Sequence, residues 1–394
     1  MTEIIIFYIF AANIFSMTNI SRATENLFYK KLKPNKVLVL LGARRVGKSY
    51  LIKKIRDQYK EKVLYLNGDD LDSHALLEKR NIENYKQILA GVTLLIIDEA
   101  QEIPEIGKKL KLMIDEIIGL KIIITGSSAF DINNRIGEPL VGRMTILNLY
   151  PISQHELLKH ETFLETRSRL EERLIYGSYP ELLSLKSHDD KIEYIRNLIH
   201  SYLLKDILAY EGIKKSDKII ALLQKLAFRV GSEISVDSLG RELQISKNTV
   251  DKYLDLFSKV FIVFSVSGFS RNRDNEITKM KKWYFMDNGI RNGLILNYSP
   301  LSLRTDVGAL WENYLQAERV KYLSHIEYFP HQYFWRTHSK QEVDRIEIYN
   351  DKISAFEYKW QEVKVKIPPQ FLNAYPEASF EVINTENYLK FISD

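Results

Sequence analysis

The stretch GARRVGKSY, residues 42–50, has the residue types and spacing that proteins use to hold a triphosphate. Gly42, Gly47, Lys48 and Ser49 occupy the four defining places of the pattern G-x-x-x-x-G-K-[ST]. The glycines let backbone N–H groups turn toward phosphate oxygens, the lysine reaches the β- and γ-phosphates, and the serine hydroxyl can bind Mg²⁺. We therefore predict a binding site for ATP and Mg²⁺. Its other predicted ATP-binding residues are Ala43, Arg44, Arg45, Val46 and Tyr50.

A second constellation follows the apolar run Leu94 to Ile97, which ends in Asp98 and Glu99. Two carboxylates at the carboxyl end of a buried parallel strand lie where ligands bind in open α/β folds. In phosphoryl transfer to water, Asp98 would hold the Mg²⁺ and Glu99 would polarise the attacking water. The alternative for such a pair is a cap at a helix N-terminus. Together with the loop at residues 42–50, the pair predicts a catalytic Glu99 and a metal-binding Asp98.

Two further candidates come from strand ends. The run Ile122 to Ile124 continues as TGSSAF, so Thr125, Ser127 and Ser128 place hydroxyls where a neighbouring strand tip would face the γ-phosphate. We predict Ser127 as a sensor of the nucleotide, with a plain turn of small residues as the alternative. Arg143, in PLVGRM, is a candidate for stabilising transition-state charge in cis or across a subunit interface. Its alternative is a solvated surface position.

The elements that must position these residues alternate between strands and helices. Short continuous apolar runs are typical of buried parallel strands, and SYLIKKIRDQYK after the glycine-rich loop has helical periodicity. The order of strand, helix, strand, helical stretch, strand, helix, strand, loop, strand predicts a parallel sheet with helices on both faces. The five predicted strands are Val37 to Leu41, Val63 to Leu66, Leu94 to Ile97, Ile122 to Ile124 and Thr145 to Leu149.

The middle of the chain favours a winged-helix domain. Residues 216–266 read as helix, short helix, turn, helix and strand, with Ser216 or Asp217 and Ser246 as N-caps. Strands Phe261 to Val266 and Lys281 to Phe285 would form the wing. The alternative is that this module packs against the ATPase core and binds no nucleic acid. The predicted apolar core is Leu239, Leu243, Ile245, Val250, Leu254 and Phe257, and the predicted nucleic-acid-binding residues are Lys247, Asn248, Thr249, Lys252, Arg271 and Arg273.

The last third carries the outline of a nuclease site. Glu312 lies in a predicted helix, Asp344 on a middle strand, and Glu357 and Lys359 on the next strand, where a spacing of two directs both side chains to one face. This order, E…D…E-x-K, is that of the PD-(D/E)XK nuclease-like fold, in which carboxylates hold Mg²⁺ and the lysine assists the attacking water. The alternative is an exposed charge pair on a strand. Arg345 follows the predicted metal ligand, and alternation aims it at the other face.

The bulk properties fit a folded protein of several domains. The 394 residues are 45% hydrophobic and 27% charged, contain no cysteine, and carry a formal net charge of +5, which tilts weakly toward phosphate-rich partners. The lack of cysteine excludes disulfides and thiolate metal sites and favours a cytoplasmic location. The apolar stretch Ile4 to Phe15 is shorter than the roughly 20 residues of a spanning helix, so we expect no membrane association. Met17 begins a polar stretch and is an alternative start.

Several segments together resemble one family: LLGARRVGKSYL, LLIIDEAQEIP, IIITGSSAF, LVGR, LYPISQHEL, YGSYPELL, YFMDNGIRNGLI, GALWENYLQAE, EVDRI and FEYKW. They are similar to the prokaryotic AAA+ ATPases with a C-terminal domain of unknown function, and the resemblance covers nearly all of the chain beyond about Glu25. It implies ATP binding, ATP hydrolysis, a winged-helix segment and a C-terminal domain similar to restriction endonucleases. Two departures, the tyrosine before Lys359 and Arg345 after the aspartate, bear on catalysis in that domain rather than on its fold.

The predicted fold is therefore an α/β P-loop NTPase of AAA+ type, followed by a winged-helix domain and an α+β restriction-endonuclease-like domain. Two functions stay open. The first is an ATPase whose nucleotide state repositions a nucleic-acid-binding or nuclease-like C-terminal half, with DNA as a partner. The second is an ATP-dependent switch that recruits a protein partner or a second copy of the chain through a catalytically inactive C-terminal domain. The predicted domains are an extension at 1–24, the ATPase core at 25–160, a helical lid at 161–214, the winged helix at 215–285 and the nuclease-like domain at 286–394.

Overall fold

The computed structural model describes residues 20–127, 138–203, 207, 216–269, 281–337 and 339–393. The chain divides into two compact units. The P-loop unit comprises residues 21–150 and 259–261. The C-terminal unit comprises Ile20 and the described residues of 151–258 and 262–393. Among these described residues, no helix is both long and apolar enough to cross a membrane.

The P-loop unit is built on a parallel sheet of five strands in the order β2-β3-β4-β1-β5. β4 pairs with β1 on one side and with β3 on the other, so the strand after the predicted metal ligand lies between the two motif strands. The central strands are apolar and buried almost throughout, as expected for strands covered on both faces. The prediction of a parallel α/β sheet is confirmed. The strands are β1 (Lys36–Leu41), β2 (Val63–Asn67), β3 (Leu94–Asp98), β4 (Lys121–Gly126) and β5 (Met144–Asn148).

In the described residues of this unit, five α-helices accompany the sheet. α5 shows how they attach: Ile106, Leu110, Met113 and Ile114 are spaced along one face, and all four are buried in the core of the unit. This core continues into the apolar side chains of β1, β3 and β4. The helices are α1 (Ala23–Lys31), α2 (Lys48–Gln58), α3 (Leu71–Glu78), α4 (Ile82–Ile88) and α5 (Ile106–Glu116), with 3₁₀ turns at Ala100–Glu102 and Glu138–Leu140.

The C-terminal unit contains a mixed sheet of seven strands in the order β12-β11-β10-β9-β7-β8-β6. Neighbouring strands run antiparallel except for the parallel pairs β7 with β9 and β11 with β12. The strands are β6 (Glu233–Ile234), β7 (Val263–Gly268), β8 (Lys281–Phe285), β9 (His331–Arg336), β10 (Glu342–Tyr349), β11 (Lys352–Tyr358) and β12 (Ser379–Ile383).

Helices surround this sheet, and the 19-residue helix α14 is buried along most of its length, with Leu310, Trp311 and Leu315 in the apolar core. Trp311 stacks on Tyr314 and packs edge-on against Tyr388 of the last helix. The helices are α6 (Gln154–Leu157), α7 (Phe163–Ser168), α8 (Leu170–Tyr176), α9 (His188–Asn197, continuing as a π-helix at Leu198–Leu203), α10 (Ser216–Phe228), α11 (Val236–Leu243), α12 (Lys247–Lys259), α13 (Asn288–Leu294), α14 (Val307–His325), α15 (Pro369–Ala374) and α16 (Tyr388–Ser393), with 3₁₀ turns at Pro180–Leu183 and Leu301–Leu303.

The segment 215–285 has the predicted order of elements, because α10, β6, α11 and α12 are followed by the antiparallel pair β7 and β8, and β6 pairs with the other edge of β8. Ser246 caps α12 as predicted, since its hydroxyl accepts the Thr249 N–H at 3.1 Å. One feature was not predicted. β7 also pairs with β9, so a single sheet runs through both predicted C-terminal domains, and the boundary at residues 285–286 stays a prediction. The predicted extension 1–24 lies largely outside the described residues.

Candidate functional site

The glycine-rich loop leaves β1 and enters α2 at Lys48, at the carboxyl edge of the P-loop sheet. Gly42 is required by close packing, because a Cβ there would lie 2.1 Å from the Leu149 carbonyl oxygen. Gly47 has φ +99°, in the region that favours glycine. The buried Lys48 ammonium donates to the carbonyl oxygens of Gly42 at 2.8 Å and Ala43 at 3.1 Å. The loop thus encloses its lysine in the space where phosphates would bind.

The remaining predicted loop residues lie around this lysine. Val46 is buried, Arg44 is partly buried, and Arg45, Ser49 and Tyr50 are exposed. Arg45 has φ +66°, so the loop passes through a left-handed turn before Gly47. An exposed Ser49 at the start of α2 leaves its hydroxyl in reach of a metal ion bound beside phosphates.

Asp98 ends β3 next to the tip of β4, and its carboxylate is held by two hydroxyl groups. Thr125 donates to Oδ1 of Asp98, and the Tyr65 hydroxyl donates to Oδ2 at 3.2 Å. Burial, followed by the negative charge of Asp98, raises the pKa of Tyr65 to about 12, so this tyrosine stays a donor at neutral pH. Asp98 is only 5% exposed. Its carboxylate is therefore oriented before any ligand arrives, as a Mg²⁺ ligand beside a triphosphate requires.

Glu99 follows in a left-handed backbone conformation, with φ 48° and ψ 47°. Its N–H donates to the Thr125 hydroxyl at 2.9 Å, and its carboxylate accepts from the Gln101 amide at 2.6 Å. Gly68, after β2, allows this close packing, since a Cβ there would lie 2.1 Å from the Glu99 carbonyl oxygen. The side chain of Glu99 is half-buried at the sheet edge. Asp98 and Glu99 thus diverge from one strand tip, which suits one to a metal ion and the other to water.

Of the predicted sensor hydroxyls, Thr125 and Ser127 lie at the end of β4, and both are buried. Because β4 lies between β1 and β3, this end is next to both the glycine-rich loop and Asp98. Ser128 lies outside the described residues. The structure therefore brings Ser127 to the predicted site.

Arg143 lies elsewhere. Its carbonyl oxygen accepts the N–H of Val37 at 2.9 Å, which places it beside the first residues of β1. The loop begins after Leu41, and at about 3.3 Å per residue the edge that holds Arg143 is roughly 13 Å away. Its guanidinium pairs with Asp115 at 2.8 Å, and both side chains are about two-fifths exposed. The structure therefore contradicts the expectation that Arg143 stabilises charge at the triphosphate of its own chain. Action across a subunit interface stays a prediction.

Arg22, which motif spacing did not single out, contacts the loop directly. It is 7% exposed and donates to the Val46 carbonyl oxygen at 2.7 Å and to the Tyr150 carbonyl oxygen at 2.6 Å. It thereby joins the loop to the segment after β5. The sequence signal is weak, since Arg22 is one arginine before a helix in a chain with 56 basic residues.

The predicted acidic positions of the C-terminal unit do converge. Four carboxylates form what we call the acidic cluster: Glu312 on α14, Glu342 and Asp344 on β10, and Glu357 on β11. Asp344 accepts the Tyr358 N–H at 2.8 Å, and Glu357 accepts from Lys359 at 2.7 Å. Arg345 points to the other face, as alternation predicted, where it pairs with Glu347 at 2.7 Å.

A lysine missed by sequence reasoning lies among these carboxylates. Lys282 of β8 has a side chain only 2% exposed, and its ammonium pairs with Glu342, with Glu312 at 3.2 Å and with Asp344 at 4.0 Å. Burial alone would lower the pKa of Lys282, but the charges of Glu312, Asp344 and Glu342 outweigh it and hold the pKa above its ordinary value. Lys282 is therefore a permanent cation. Within the part of the chain that the structure describes, no three His, Asp or Glu side chains are arranged to hold a metal ion.

Burial and neighbouring charges also shift the pKa values of two acids in the cluster. Burial, and then the charge of Glu312, raise the pKa of Asp344 to about 7, although Lys282 acts in the opposite direction. Burial, and then the charge of Asp344, likewise raise the pKa of Glu357 to about 7, against the opposing effect of Lys359. One oxygen of Glu357, Oε2, is buried and has no hydrogen-bond partner among the residues that the structure describes. At neutral pH the cluster carries less negative charge than its four acids suggest.

The predicted nucleic-acid face is only partly basic. Lys247, Asn248 and Lys252 are exposed on α12 and Thr249 is partly buried, but the exposed acids Asp251 and Asp255 share the helix. Lys247 also lies 3.5 Å from Asp237. Arg271 and Arg273 lie outside the described residues. Of the predicted core, five residues are buried and Ile245 is half-buried.

The strand order, the loop and the oriented carboxylates define the first unit as a nucleotide-binding domain of the P-loop ATPase class. Comparison with protein families agrees: residues 34–158 match the family described as "AAA domain". Two further families match the rest of the chain, each described as a domain of unknown function: DUF8612 at residues 167–302 and DUF4143 at residues 307–392. The chain thus combines an AAA-type ATPase domain with a DUF4143 C-terminal domain.

Similar proteins occur in archaea and bacteria. An uncharacterized protein of Methanocaldococcus jannaschii is 26% identical over 72% of this chain, and one of Haemophilus influenzae is 25% identical over 66%. An uncharacterized protein of Mycobacterium tuberculosis is 24% identical over 82% of this chain. The matches span 66%, 69% and 70% of those proteins, so this chain corresponds to about two thirds of their length.

Two solved structures share limited similarity. A STAND protein with a tetratricopeptide repeat sensor from Pyrococcus horikoshii matches 79% of this chain and 47% of its own, with 14% identity and a TM-score of 0.29. A structure of two coordinating Pif1 helicases at forked DNA matches 45% of this chain and 51% of its own, with 12% identity and a TM-score of 0.25. These scores are too low to establish a common overall architecture.

Proposed function

We propose that the protein is a Mg²⁺-dependent ATPase whose nucleotide state acts on the C-terminal unit. The observation that carries this proposal is the convergence of Lys48, Asp98 and Glu99 at one edge of the parallel sheet, with β4 between their strands. Ser49 and Asp98 would hold the Mg²⁺, which would supply positive charge against the phosphate oxygens. The loop N–H groups and Lys48 bind the triphosphate.

Hydrolysis follows from the positions of Glu99 and the β4 tip. The Glu99 carboxylate is half-buried and held by Gln101, and it accepts a proton from the attacking water in this proposal. Thr125 fixes both the Asp98 carboxylate and the Glu99 backbone, so the metal ligand and the base keep a constant separation. Ser127, directly after β4, senses the γ-phosphate. A change in the position of Ser127 when the phosphate leaves is the signal that passes to the C-terminal unit.

The test is Glu99→Gln, which keeps the shape and hydrogen bonding of the side chain but removes the base. We expect ATP binding within about threefold of the wild type and a turnover reduced by about 10²–10⁴-fold, the usual contribution of a general base. Glu102→Gln is the matched control, because Glu102 is an exposed acid in the same short turn. Phosphate release measures turnover and a fluorescent ATP analogue measures affinity. Unchanged turnover in Glu99→Gln would refute the assignment of the base.

For the C-terminal unit we propose a winged-helix segment joined to a nuclease-like skeleton. The order α10, β6, α11, α12, β7, β8 supports the first, and a helix followed by the antiparallel strands β9, β10 and β11 supports the second. Of the two open functions, the mixed charge on α12 favours the switch that recruits a protein partner. DNA binding is the second candidate, carried by exposed Lys247 and Lys252.

A titration with double-stranded DNA at several salt concentrations separates the two candidates. Phosphate contacts by lysines give an affinity that falls steeply as salt rises, whereas a protein-recruiting switch gives no binding even at low salt. The double variant Lys247→Ala, Lys252→Ala should abolish any binding that α12 provides. Lys62→Ala is the control, because Lys62 is an exposed lysine of the P-loop unit and not of α12.

A further inference from the structure

The acidic cluster of the C-terminal unit, predicted from sequence to hold Mg²⁺, already contains a cation. Three of its four carboxylates, on Glu312, Glu342 and Asp344, surround the ammonium of Lys282. We infer that Lys282 is the permanent counter-ion of this cluster, so that the cluster binds no divalent metal ion and the unit cleaves no phosphodiester through one. The nuclease-like skeleton then serves as a fixed joint rather than an active site.

The donor set fits an ammonium and not a metal ion. Oε1 of Glu312 accepts from the Tyr284 hydroxyl at 2.6 Å as well as from Lys282 at 3.2 Å. The backbone N–H of Tyr358 occupies Oδ2 of Asp344, and Lys359 occupies Oε1 of Glu357. Mg²⁺ needs oxygens about 2.0–2.1 Å away in a near-ideal octahedron, whereas one oxygen of each of these three carboxylates is already held by a hydrogen-bond donor. A divalent ion would have to displace a buried, charged lysine to enter.

Charge points the same way. Lys282, Lys359 and Arg336, whose guanidinium lies 3.6 Å from Glu342, together place three positive groups against the four acids of the cluster. One formal negative charge is then left to attract a divalent ion, whose affinity depends on the charge of its ligands. Access to Glu312 is also restricted, because the backbone at Gly231, with φ +73°, lies so close that a Cβ would be 3.1 Å from the carboxylate.

The position of Lys282 shows which elements its ion pairs hold together. It lies on β8, whereas its partners lie on α14 and β10, so its ion pairs tie the hairpin strand to the helix and strand of the DUF4143 region. β8 is not adjacent to β10 in the sheet, where β7 and β9 separate them. Lys282 therefore links β8 to β10 across the two strands between them, where the ladder of backbone hydrogen bonds does not join β8 to β10 directly. It acts as a positioning residue.

The test measures Mn²⁺ binding to the full chain by calorimetry in an Asp98→Asn background, which removes the metal ligand of the ATP site. We expect no saturable binding tighter than about 1 mM, the weak end of protein divalent-cation sites. We also expect no Mn²⁺- or Mg²⁺-dependent nicking of plasmid DNA. Saturable binding or nicking that disappears in the added variant Asp344→Asn would overturn the inference, and this measurement requires no change at Lys282.

A second experiment removes the positive charge of Lys282. Lys282→Met leaves the carboxylates without their ammonium, and in folded protein, checked by circular dichroism and gel filtration, we expect Mn²⁺ affinity to rise at least tenfold over the parent. Lys359→Met is the matched control, since Lys359 is more exposed and its ion pair among the described residues is with Glu357, and it should gain no affinity. Equal gains in both variants, or no gain in folded Lys282→Met, would contradict the role of Lys282 as the internal cation.

Discussion

Arg22 is the residue that most changes the interpretation of the ATP site. The motif spacing predicted the loop itself, because backbone N–H groups, a lysine and a hydroxyl must follow one another closely in the chain to meet one phosphate. Arg22 has no such constraint. It reaches Val46 and Tyr150 only because α1 returns to the loop in the folded unit, which no local pattern encodes.

We predict that Arg22→Ala weakens ATP binding about tenfold. Two hydrogen bonds from a charged donor are lost, one to Val46 of the loop and one to Tyr150, at roughly 1.5–3 kcal/mol each, and part of that energy holds the loop in the binding conformation. Arg80→Ala is the control, because Arg80 pairs with Glu105 at the surface of the P-loop unit. Titration with a fluorescent ATP analogue measures the difference. An affinity unchanged from wild type would show that the loop needs no such support.

The same contrast holds at the C-terminal site. Glu357 and Lys359 were predicted correctly on one face because alternation along a strand is local. Lys282 was missed because β8 and β10 are distant both in sequence and in sheet order, and nothing in the residues around Lys282 marks it as the partner of three acids. A lysine between aromatic and basic neighbours is typical of an ordinary edge strand.

At the scale of elements, the runs of buried apolar residues predicted all five strands of the P-loop sheet to within one or two residues. Their order was not predicted, since parallel strands join through crossovers that sequence does not specify. The insertion of β4 between β1 and β3 is what brings Thr125 to Asp98.

The contact between α8 and α13 predicts a large loss of stability when Gly177, in the segment YGSYPELL, is substituted. Its φ of +80° and ψ of −161° belong to glycine, and a Cβ would lie 1.9 Å from the Asp287 carboxylate that caps α13. We expect Gly177→Ala to lower the free energy of unfolding by more than about 3 kcal/mol, a large effect for one methyl group.

Gly119→Ala is the control for this prediction. Gly119 also has positive φ, at +86°, but a Cβ there meets nothing within 4 Å. It should cost about 1 kcal/mol from backbone strain alone. Chemical denaturation measures both variants. Equal losses would mean that strain, and not the approach to Asp287, decides the effect.

Glu347 of β10 pairs with Arg319 of α14. This contact predicts that the stability of the protein depends on pH in the acid range. Burial would raise the pKa of Glu347, but Arg345 and Arg319 outweigh it and lower the pKa to about 2. A carboxyl whose pKa is lowered by folding stabilises above its ordinary pKa, near 4.5, and this contribution is lost as the pH falls toward 2. Glu347→Gln should therefore destabilise the protein at pH 7 and flatten its unfolding free energy between pH 4.5 and pH 2.

The control is Glu381→Gln, an exposed acid on β12. It should leave both the stability at pH 7 and its acid dependence within experimental error of the wild type. Denaturant titrations at each pH measure the effect. A Glu347→Gln curve parallel to that of the wild type would show that the two arginines do not stabilise the carboxylate.

At the scale of the whole molecule, composition predicted several domains, but the units follow long-range contacts. Residues 259–261 belong with the P-loop unit, although they stand between segments of the other unit in the chain. Phe261 packs edge-on against Tyr150, 6.2 Å between ring centroids, which explains the assignment. The C-terminal unit is held by one sheet through both predicted domains, because β7 pairs with β9, and such pairing across a sequence boundary leaves no trace in local periodicity.

Arg143 carries the last prediction, because its role depends on whether chains assemble. Within one chain it lies at the amino edge of the sheet, paired with Asp115, and the nucleotide loop is at the opposite edge. We therefore expect Arg143→Ala to hydrolyse ATP at the wild-type rate per chain at low protein concentration, where chains are separate. Lys36→Ala, at the same edge, is the control, since the Lys36 ammonium donates to the Gly142 carbonyl oxygen, next to Arg143 in the chain. A wild-type rate per chain that rises with concentration, and fails to rise in Arg143→Ala alone, would place this arginine at a neighbour's triphosphate. A loss of rate in dilute Arg143→Ala would contradict the geometry, since no side chain spans roughly 13 Å of strand from that edge.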